Sequence, residues 1–289
     1  MRSILNLVRV RQWTKNLLCF VGVLITPHHN WTLEAFENAA LVFIAFCFMS
    51  SAVYVLNDLR DVEHDRKHER KRHRPLASGA VGEIAALIII LALSAVALAL
   101  AYAVSIRPFL CLVLYAVINL LYSSGLKHTP IVDVFCIAMG FVLRLLCGVY
   151  AIGDSPSAWM LLCTLFITLF IGFGKRRSEI VSQRPGEVTR PVLSGYTADY
   201  LDSLTNATGV MAILSYAIFT VSGERDQTLV LTVLPVVYGV FHFSRVLQLQ
   251  GGVEEPDRML FKDRQMVTCG LIWLVSFILI SRMSPGLFK

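Results

Sequence analysis

Charge is what this chain has least of. Asp, Glu, Lys and Arg make up 16% of its 289 residues, against about 25% in soluble globular domains, which excludes an ordinary soluble fold. The seven cysteines (Cys19, Cys47, Cys111, Cys136, Cys147, Cys163 and Cys269) contain no CxxC pair and lie mostly inside apolar runs, so they read as small buried side chains rather than disulfides or zinc ligands. The seven histidines show no HExxH or other metal-ligand spacing; His64, His68 and His73 belong to a charged stretch where solvation is their ordinary state. Alternating apolar and polar residues are missing too, which argues against a transmembrane barrel. No small-residue cleavage site follows the first apolar stretch, so it reads as a membrane span and not as a removable signal.

What is abundant is hydrophobic side chain, 56% of the chain, with a mean hydropathy of +0.65. Runs approaching the roughly 20 residues that cross a hydrocarbon core recur from end to end. They lie at about Leu17 to Thr26, Phe36 to Leu56, Ile84 to Val104, Pro108 to Tyr122, Ile131 to Ile152, Ala158 to Phe173, Leu204 to Val221, Leu229 to Val246 and Met266 to Ile280. The expected fold class is all-α, a polytopic membrane protein of about nine transmembrane helices forming one domain over residues 1–289. Within it, residues 1–16 read as an amphipathic segment in the membrane interface, anchored by Trp13. Residues 57–83, 174–203 and 247–265 read as cytoplasmic loops. The turn at His28, His29, Asn30 and Trp31 is expected outside.

A net charge of +6 and a pI near 9.0 raise the question of nucleic acid, but the placement of the cations argues otherwise. With nine spans and a cytoplasmic N-terminus, only Arg107, Arg225, Arg282 and Lys289 of the 26 lysines and arginines fall on the far side; Arg144 lies deep within a span, and Arg245 stands one residue from the cytoplasmic end of the eighth. That asymmetry follows the positive-inside rule. The chain is therefore expected in the cytoplasmic membrane, multi-pass, with its working face toward the cytoplasm. Its partners are lipids rather than nucleic acid, and a homo-oligomer is left open.

The chemistry concentrates in Asn57 to Gly79, NDLRDVEHDRKHERKRHRPLASG, directly after an apolar run. If the helix continues for two more turns, Asp58, Asp61 and Asp65 share a face. Three carboxylates that repel one another at the membrane edge invite a cation with oxygen ligands. Mg2+ takes one or two carboxylates and fills its remaining positions with water and substrate phosphate. Asn57 adds a neutral oxygen. Arg66, Lys67, Arg70, Lys71, Arg72 and Arg74 follow at once, and they suit either free phosphate oxygens or simple orientation in the bilayer.

Other candidates are scattered. Lys15 stands at the mouth of the first span, suited to a phosphate or to anchoring. Tyr122 and Lys127 either orient a substrate or sit at headgroup level. Asp133 and Arg144 are eleven residues apart in one span, sharing a face without touching; Arg144, the deeper, is a functional candidate or a structural cap. Lys175, Arg176 and Arg177, with Glu179 after them, read as a second phosphate-suited cluster following a glycine turn, though anchoring would use the same residues. Thr197 has the character of a helix cap, and Tyr196, Asp199 and Asp202 are placed to face back toward the site. Asp257, Arg258, Lys262, Asp263 and Arg264 belong to a last loop that serves as lid or linker.

The pattern NDxxDxxxD at Asn57, Asp58, Asp61 and Asp65, in a hydrophobic chain of this length, resembles the UbiA-type intramembrane prenyltransferase superfamily. The resemblance implies nine transmembrane helices around a central cavity, Mg2+ held by Asp-rich cytoplasmic motifs, and a polyprenyl chain in a lateral opening to the lipid. Most members are implied to carry a second Asp-rich motif after the sixth span, where this chain has KRRSE at Lys175 to Glu179. In this, and in RQWTKN at Arg11 to Asn16, YSSGLKH at Tyr122 to His128, GFVLR at Gly140 to Arg144 and SGYTADYLD at Ser194 to Asp202, it is similar to the decaprenyl-phosphate phosphoribosyltransferase branch. That branch implies 5-phosphoribosyl 1-diphosphate as donor and a polyprenyl phosphate as acceptor. On this reading Asp58, Asp61 and Asp65 hold Mg2+ on the donor diphosphate with Asn57 positioning it. Lys15, Lys71, Arg74, Lys127, Lys175 and Arg176 grip phosphates, and Tyr122, Arg144, Glu179 and Tyr196 complete the substrate-binding set. The alternatives are an aromatic prenyltransferase using a polyprenyl diphosphate, and a lipid transporter.

Overall fold

The computed structural model of the chain describes residues 2–25, 32–67, 71–183, 190–223, 227–249 and 262–283. The expected turn at His28 to Trp31, and His68, Arg70, Asp257 and Arg258, lie outside the described residues. Every regular element among them is helical. A short helix α1 (Arg2–Leu7) leads into a 3-10 segment (Val10–Phe20) and α2 (Val21–Ile25). The long elements are α3 (Leu33–Arg60), continued after a break by α4 (Val62–Lys67), then α5 (Glu83–Val104), α6 (Ile106–Ser124), α7 (Val132–Ala151), α8 (Ala158–Val181), α9 (Ala198–Val221), α10 (Val233–Leu249) and α11 (Arg264–Met283).

Eight of these helices, α10 taken together with the 3-10 turn Gln227–Thr232 before it, are long and apolar enough to cross a membrane. The protein is a multi-pass integral membrane protein. The eight correspond to the second through ninth expected spans, but several run past the apolar windows: α3 starts at Leu33 and reaches Arg60, α8 reaches Val181, and α9 starts at Ala198. Hydropathy marks only the part in lipid, whereas backbone hydrogen bonding continues through polar turns in water. Much of the expected loops 57–83 and 174–203 is helical for that reason. Thr32 and Thr197 cap their helices, accepting from Ala35 N at 3.1 Å and Tyr200 N at 3.2 Å, as expected of Thr197.

The expected single domain divides into two compact units: Met1–Ser124 with Leu143–Ser155, and Gly125–Val142 with Pro156–Lys289. In the first, α3 packs along α5 and against the 3-10 segment, and α5 turns at Ser105 into α6. Its core gathers Cys19, Phe46, Met49, Leu112, Leu143 and Cys147. In the second, α8 lies along α9, and α10 packs on α9 and α11; one core cluster joins Val134, Leu169, Phe173 and Leu201, another Phe170, Val240, Phe243 and Leu247. All seven cysteines are free, five of them buried, in keeping with the apolar role read for them.

The first expected crossing is built differently from the rest. Val10–Phe20 is 3-10 rather than α, and residues 1–16 do not simply lie in the interface: Leu7 and Asn16 are fully buried, and Trp13 Nε1 donates to Ser51 Oγ at 3.0 Å. Backbones meet where this segment reaches α7. A Cβ added at Gly148 would stand 1.9 Å from Cys19 O, and one at Gly22 would stand 2.8 Å from Val149 N. Because the obstacle at Gly148 is backbone, Gly148→Ala is expected to cost about 3 kcal/mol or more, beyond ordinary overpacking. Thermal unfolding in detergent reads this out; an unchanged midpoint would contradict the close approach.

Candidate active site

The first unit carries the acidic segment. Lipid-facing and core residues keep α3 helical to Arg60, where Asp61 takes φ −93° and ψ 7°. The break is slight, because Asp61 N still bonds Asn57 O at 3.0 Å and Asp65 N bonds Asp61 O at 2.8 Å. The four-residue helical repeat is thus carried across it, which brings Asp58 and Asp65 together. Both are buried, at 4% and 1% exposure. The chain then returns through the 3-10 turn Lys71–His73 and places Arg74 against them: its Nη1 is 3.0 Å from Asp58 Oδ1 and 2.6 Å from Asp65 Oδ2. A second guanidinium arrives from the N-terminal segment. Arg9 Nη2 is 2.5 Å from the same Asp58 Oδ1, and its plane sits 4.9 Å from the Tyr54 ring centre.

The expected meeting of three carboxylates is realised for two. Among the described residues no three His, Cys, Asp or Glu side chains stand together as a metal-holding group; Asp61 occupies the break between α3 and α4. What the pair does provide is a shared point: two buried carboxylates aim oxygens at one positively charged nitrogen. Their donor set fits Mg2+, which is content with one or two carboxylates when phosphate and water complete its shell. Asn57 Oδ1 accepts from Ser123 Oγ, and Arg60 Nη1 donates to Ser124 Oγ at 3.1 Å, so the end of α3 is tied to the end of α6. Lys15, Lys71 and Tyr122 are half-buried in the same unit.

Arg144 has a structural assignment. It is 5% exposed, donates from Nε to Asn16 Oδ1 at 2.7 Å and from Nη2 to Tyr115 OH at 3.1 Å, and lies 4.7 Å from the Tyr115 ring centre. A cation deep in an apolar core needs such partners, and here they fasten the 3-10 segment to α6 and α7. The substrate-binding role read for it stays a proposal beside this tie.

The second unit holds the KRRSE stretch, on α8 rather than after a glycine turn. Gly174 serves packing instead, since an added Cβ would come within 2.7 Å of Leu247 Cδ1. Arg176 is 2% exposed; its Nε is 2.7 Å from Asp133 Oδ2 and its Nη1 is 2.7 Å from Glu179 Oε2. Asp133, fully buried, accepts on its other oxygen from Tyr196 OH at 2.9 Å, while the same hydroxyl accepts from Ile131 N. Ile131 has φ 70°, a left-handed conformation that a β-branched residue keeps only when its surroundings insist. Burial pushes the Tyr196 phenol up from its ordinary pKa, which keeps it a donor to Asp133 throughout the physiological range. Arg177 bonds Asp202 Oδ1 at 2.6 Å and Leu247 O at 2.6 Å.

Arg176, Glu179 and Tyr196, read from sequence as substrate ligands, are tied together in the second unit, Arg176 directly to Glu179 and through Asp133 to Tyr196; the low-dielectric interior strengthens such pairings. Lys127 and Lys175 are half-buried. Sequence reasoning missed Arg9, Tyr54, Asn16 and Ser123. Asn16 and Ser123 stood only as members of the RQWTKN and YSSGLKH motifs, and Arg9 only within the polar stretch RVRQWTKN.

Comparison with known proteins shows the family. The model of the UbiA prenyltransferase family matches residues 16–264. The chain is 30% identical over 288 residues to a decaprenyl-phosphate phosphoribosyltransferase of Mycolicibacterium smegmatis, covering 94% of this chain and 90% of that protein. It is 29% identical to one of Mycobacterium tuberculosis, covering 95% and 92%. The solved structure of a UbiA homolog from Archaeoglobus fulgidus bound to GPP and Mg2+ shares the fold, with a TM-score of 0.75 at 20% identity over 96% of this chain and 98% of that one. With its acidic segment at the end of α3 and eight long apolar helices among the described residues, the chain belongs to the UbiA prenyltransferase family, in the branch of the decaprenyl-phosphate phosphoribosyltransferases.

Proposed function

We propose that this protein transfers the 5-phosphoribosyl group of 5-phosphoribosyl 1-diphosphate to a polyprenyl phosphate at the cytoplasmic face of the inner membrane. The products are polyprenylphosphoryl 5-phosphoribose and pyrophosphate. The observation that carries the proposal is the shared cation position of Asp58 and Asp65, in a chain similar over nearly its whole length to phosphoribosyltransferases. Asp58 and Asp65 would hold Mg2+ there, with Asp61 at the adjoining break, and the ion would supply charge stabilisation of the departing diphosphate.

The chain's own residues do the remainder. Asn57, with its carbonyl oxygen taken by Ser123, keeps its amide NH2 for a donor oxygen. In the first unit Lys15, Lys71 and Arg74 bind phosphate oxygens as cations. The lipid phosphate is ionised at neutral pH and needs no general base. It attacks the anomeric carbon as the carbon–oxygen bond to diphosphate breaks, and fixed cations steady the charge that moves. Glu179, the one carboxylate in KRRSE, is engaged by Arg176 at 2.7 Å and lies 3.7 Å from Arg190. This favours a donor richer in phosphate over one gripped by a second acidic motif.

Purified protein in detergent, given labelled 5-phosphoribosyl 1-diphosphate, Mg2+ and a polyprenyl phosphate, is expected to produce a labelled lipid and lose that product on chelation. Transfer from a prenyl diphosphate to an aromatic acceptor instead would establish the prenyltransferase alternative. Turnover of neither leaves transport.

A further inference from the structure

Charge in the first unit is arranged with the anions inside and the cations reaching in. Asp58 and Asp65 are almost wholly buried, whereas the Arg9 and Arg74 side chains that meet them are 29% and 30% exposed. Both guanidiniums use the same oxygen, Asp58 Oδ1. Arg9 reaches it from a left-handed backbone, φ 52° and ψ 50°, a conformation that costs a non-glycine residue stability and that points to function when found beside a site. Tyr54 supports the guanidinium plane. Within this cluster two guanidiniums match the charge of two carboxylates.

A divalent cation cannot enter that arrangement unchanged. It would compete for the same lone pairs and face two positive groups at contact distance, so the arginines must move when it binds. A displaced guanidinium needs an anion, and its planar fork matches phosphate oxygens. We propose that Arg9 and Arg74 are exchangeable counter-cations: they neutralise Asp58 and Asp65 in the ion-free protein and pass to substrate phosphate when a divalent ion replaces them. This rests on the metal-ligand reading above and adds Arg9 to the substrate-phosphate ligands. Its consequence is coupling. The ion binds weakly alone and tightly with a phosphorylated donor, and by linkage the donor depends on the ion to the same extent. A substrate with too few phosphate oxygens to receive both arginines is selected against.

The test uses Mn2+ as a paramagnetic probe, with free ion measured by electron paramagnetic resonance in detergent-purified full-length protein without substrate. R9M and R74M are each expected to tighten Mn2+ binding by on the order of tenfold, because the resident competitor is gone. R60Q, which removes a nearby exposed arginine bonded to Ser124, controls for the general field and is expected to leave affinity near wild type; D65N is expected to abolish binding. With saturating metal, R9M should raise the KM for 5-phosphoribosyl 1-diphosphate more than it lowers kcat, and R9K should fall between R9M and wild type. If R9M and R74M shift Mn2+ affinity no more than R60Q does while D65N loses the ion, the exchange is refuted and the metal site stands. If D65N binds Mn2+ as wild type does, the metal reading itself fails. Should R9M not fold, R9K and R74M carry the same comparison.

Discussion

Asp65→Asn is expected to lower phosphoribosyl transfer by about a hundred- to a thousandfold while the protein melts within a few degrees of wild type. Asp65 is 1% exposed and its Oδ2 is 2.6 Å from Arg74, so the carboxylate is one of two whose charge defines the cation position. Asparagine keeps the volume and one oxygen but removes the charge. Arg74, with its side chain 30% exposed, still has Asp58 and can turn partly to water, so the cost in stability stays near the 1 kcal/mol of an ordinary hydrogen bond. A purified, correctly melting D65N protein with near wild-type turnover would remove Asp65 from the metal set. A collapse of the fold would show the Asp65–Arg74 pair to be structural.

Arg176→Met is expected to act in the opposite way, through the fold. Arg176 and Asp133 are 2% and 0% exposed and 2.7 Å apart. Methionine fills the space but leaves Asp133 charged in the interior with only the Tyr196 hydroxyl to balance it. Breaking one side of a buried pair costs about 3 to 5 kcal/mol. Adding Asp133→Asn should recover much of that, because the charge left behind is then gone. Thermal unfolding of wild type, both single variants and the double variant forms a cycle that isolates the coupling. A loss below about 1 kcal/mol in R176M, against the range for buried pairs, would mean that Arg176 is free for substrate after all.

These two results separate residues that look alike in the sequence. Arg74 and Arg176 both stand in basic clusters beside membrane helices, and both read as phosphate ligands. Arg176 meets Asp133 because α8 continues as a helix through KRRSE and turns the Arg176 side chain, like Ser178, into the core. Arg144 was recognisable as costly because charge is rare in a span, yet its partner Asn16, 128 residues away, carries no periodic signal. Arg9 was legible only as one of several N-terminal cations. No spacing rule connects it to Asp58, 49 residues on.

What the sequence determined by itself is what the bilayer demands of any chain: long apolar helices, and an acidic stripe at helical spacing at the end of α3. Those features are local, set by a rise of about 1.5 Å per residue and by the cost of unpaired backbone in hydrocarbon. The tertiary structure alone decided which charge each side chain meets. Asp133 with Arg176 and Asp58 with Arg9 join residues 43 and 49 positions apart. Such pairs depend on burial and on distances of a few ångströms, which exist only once the helices have packed.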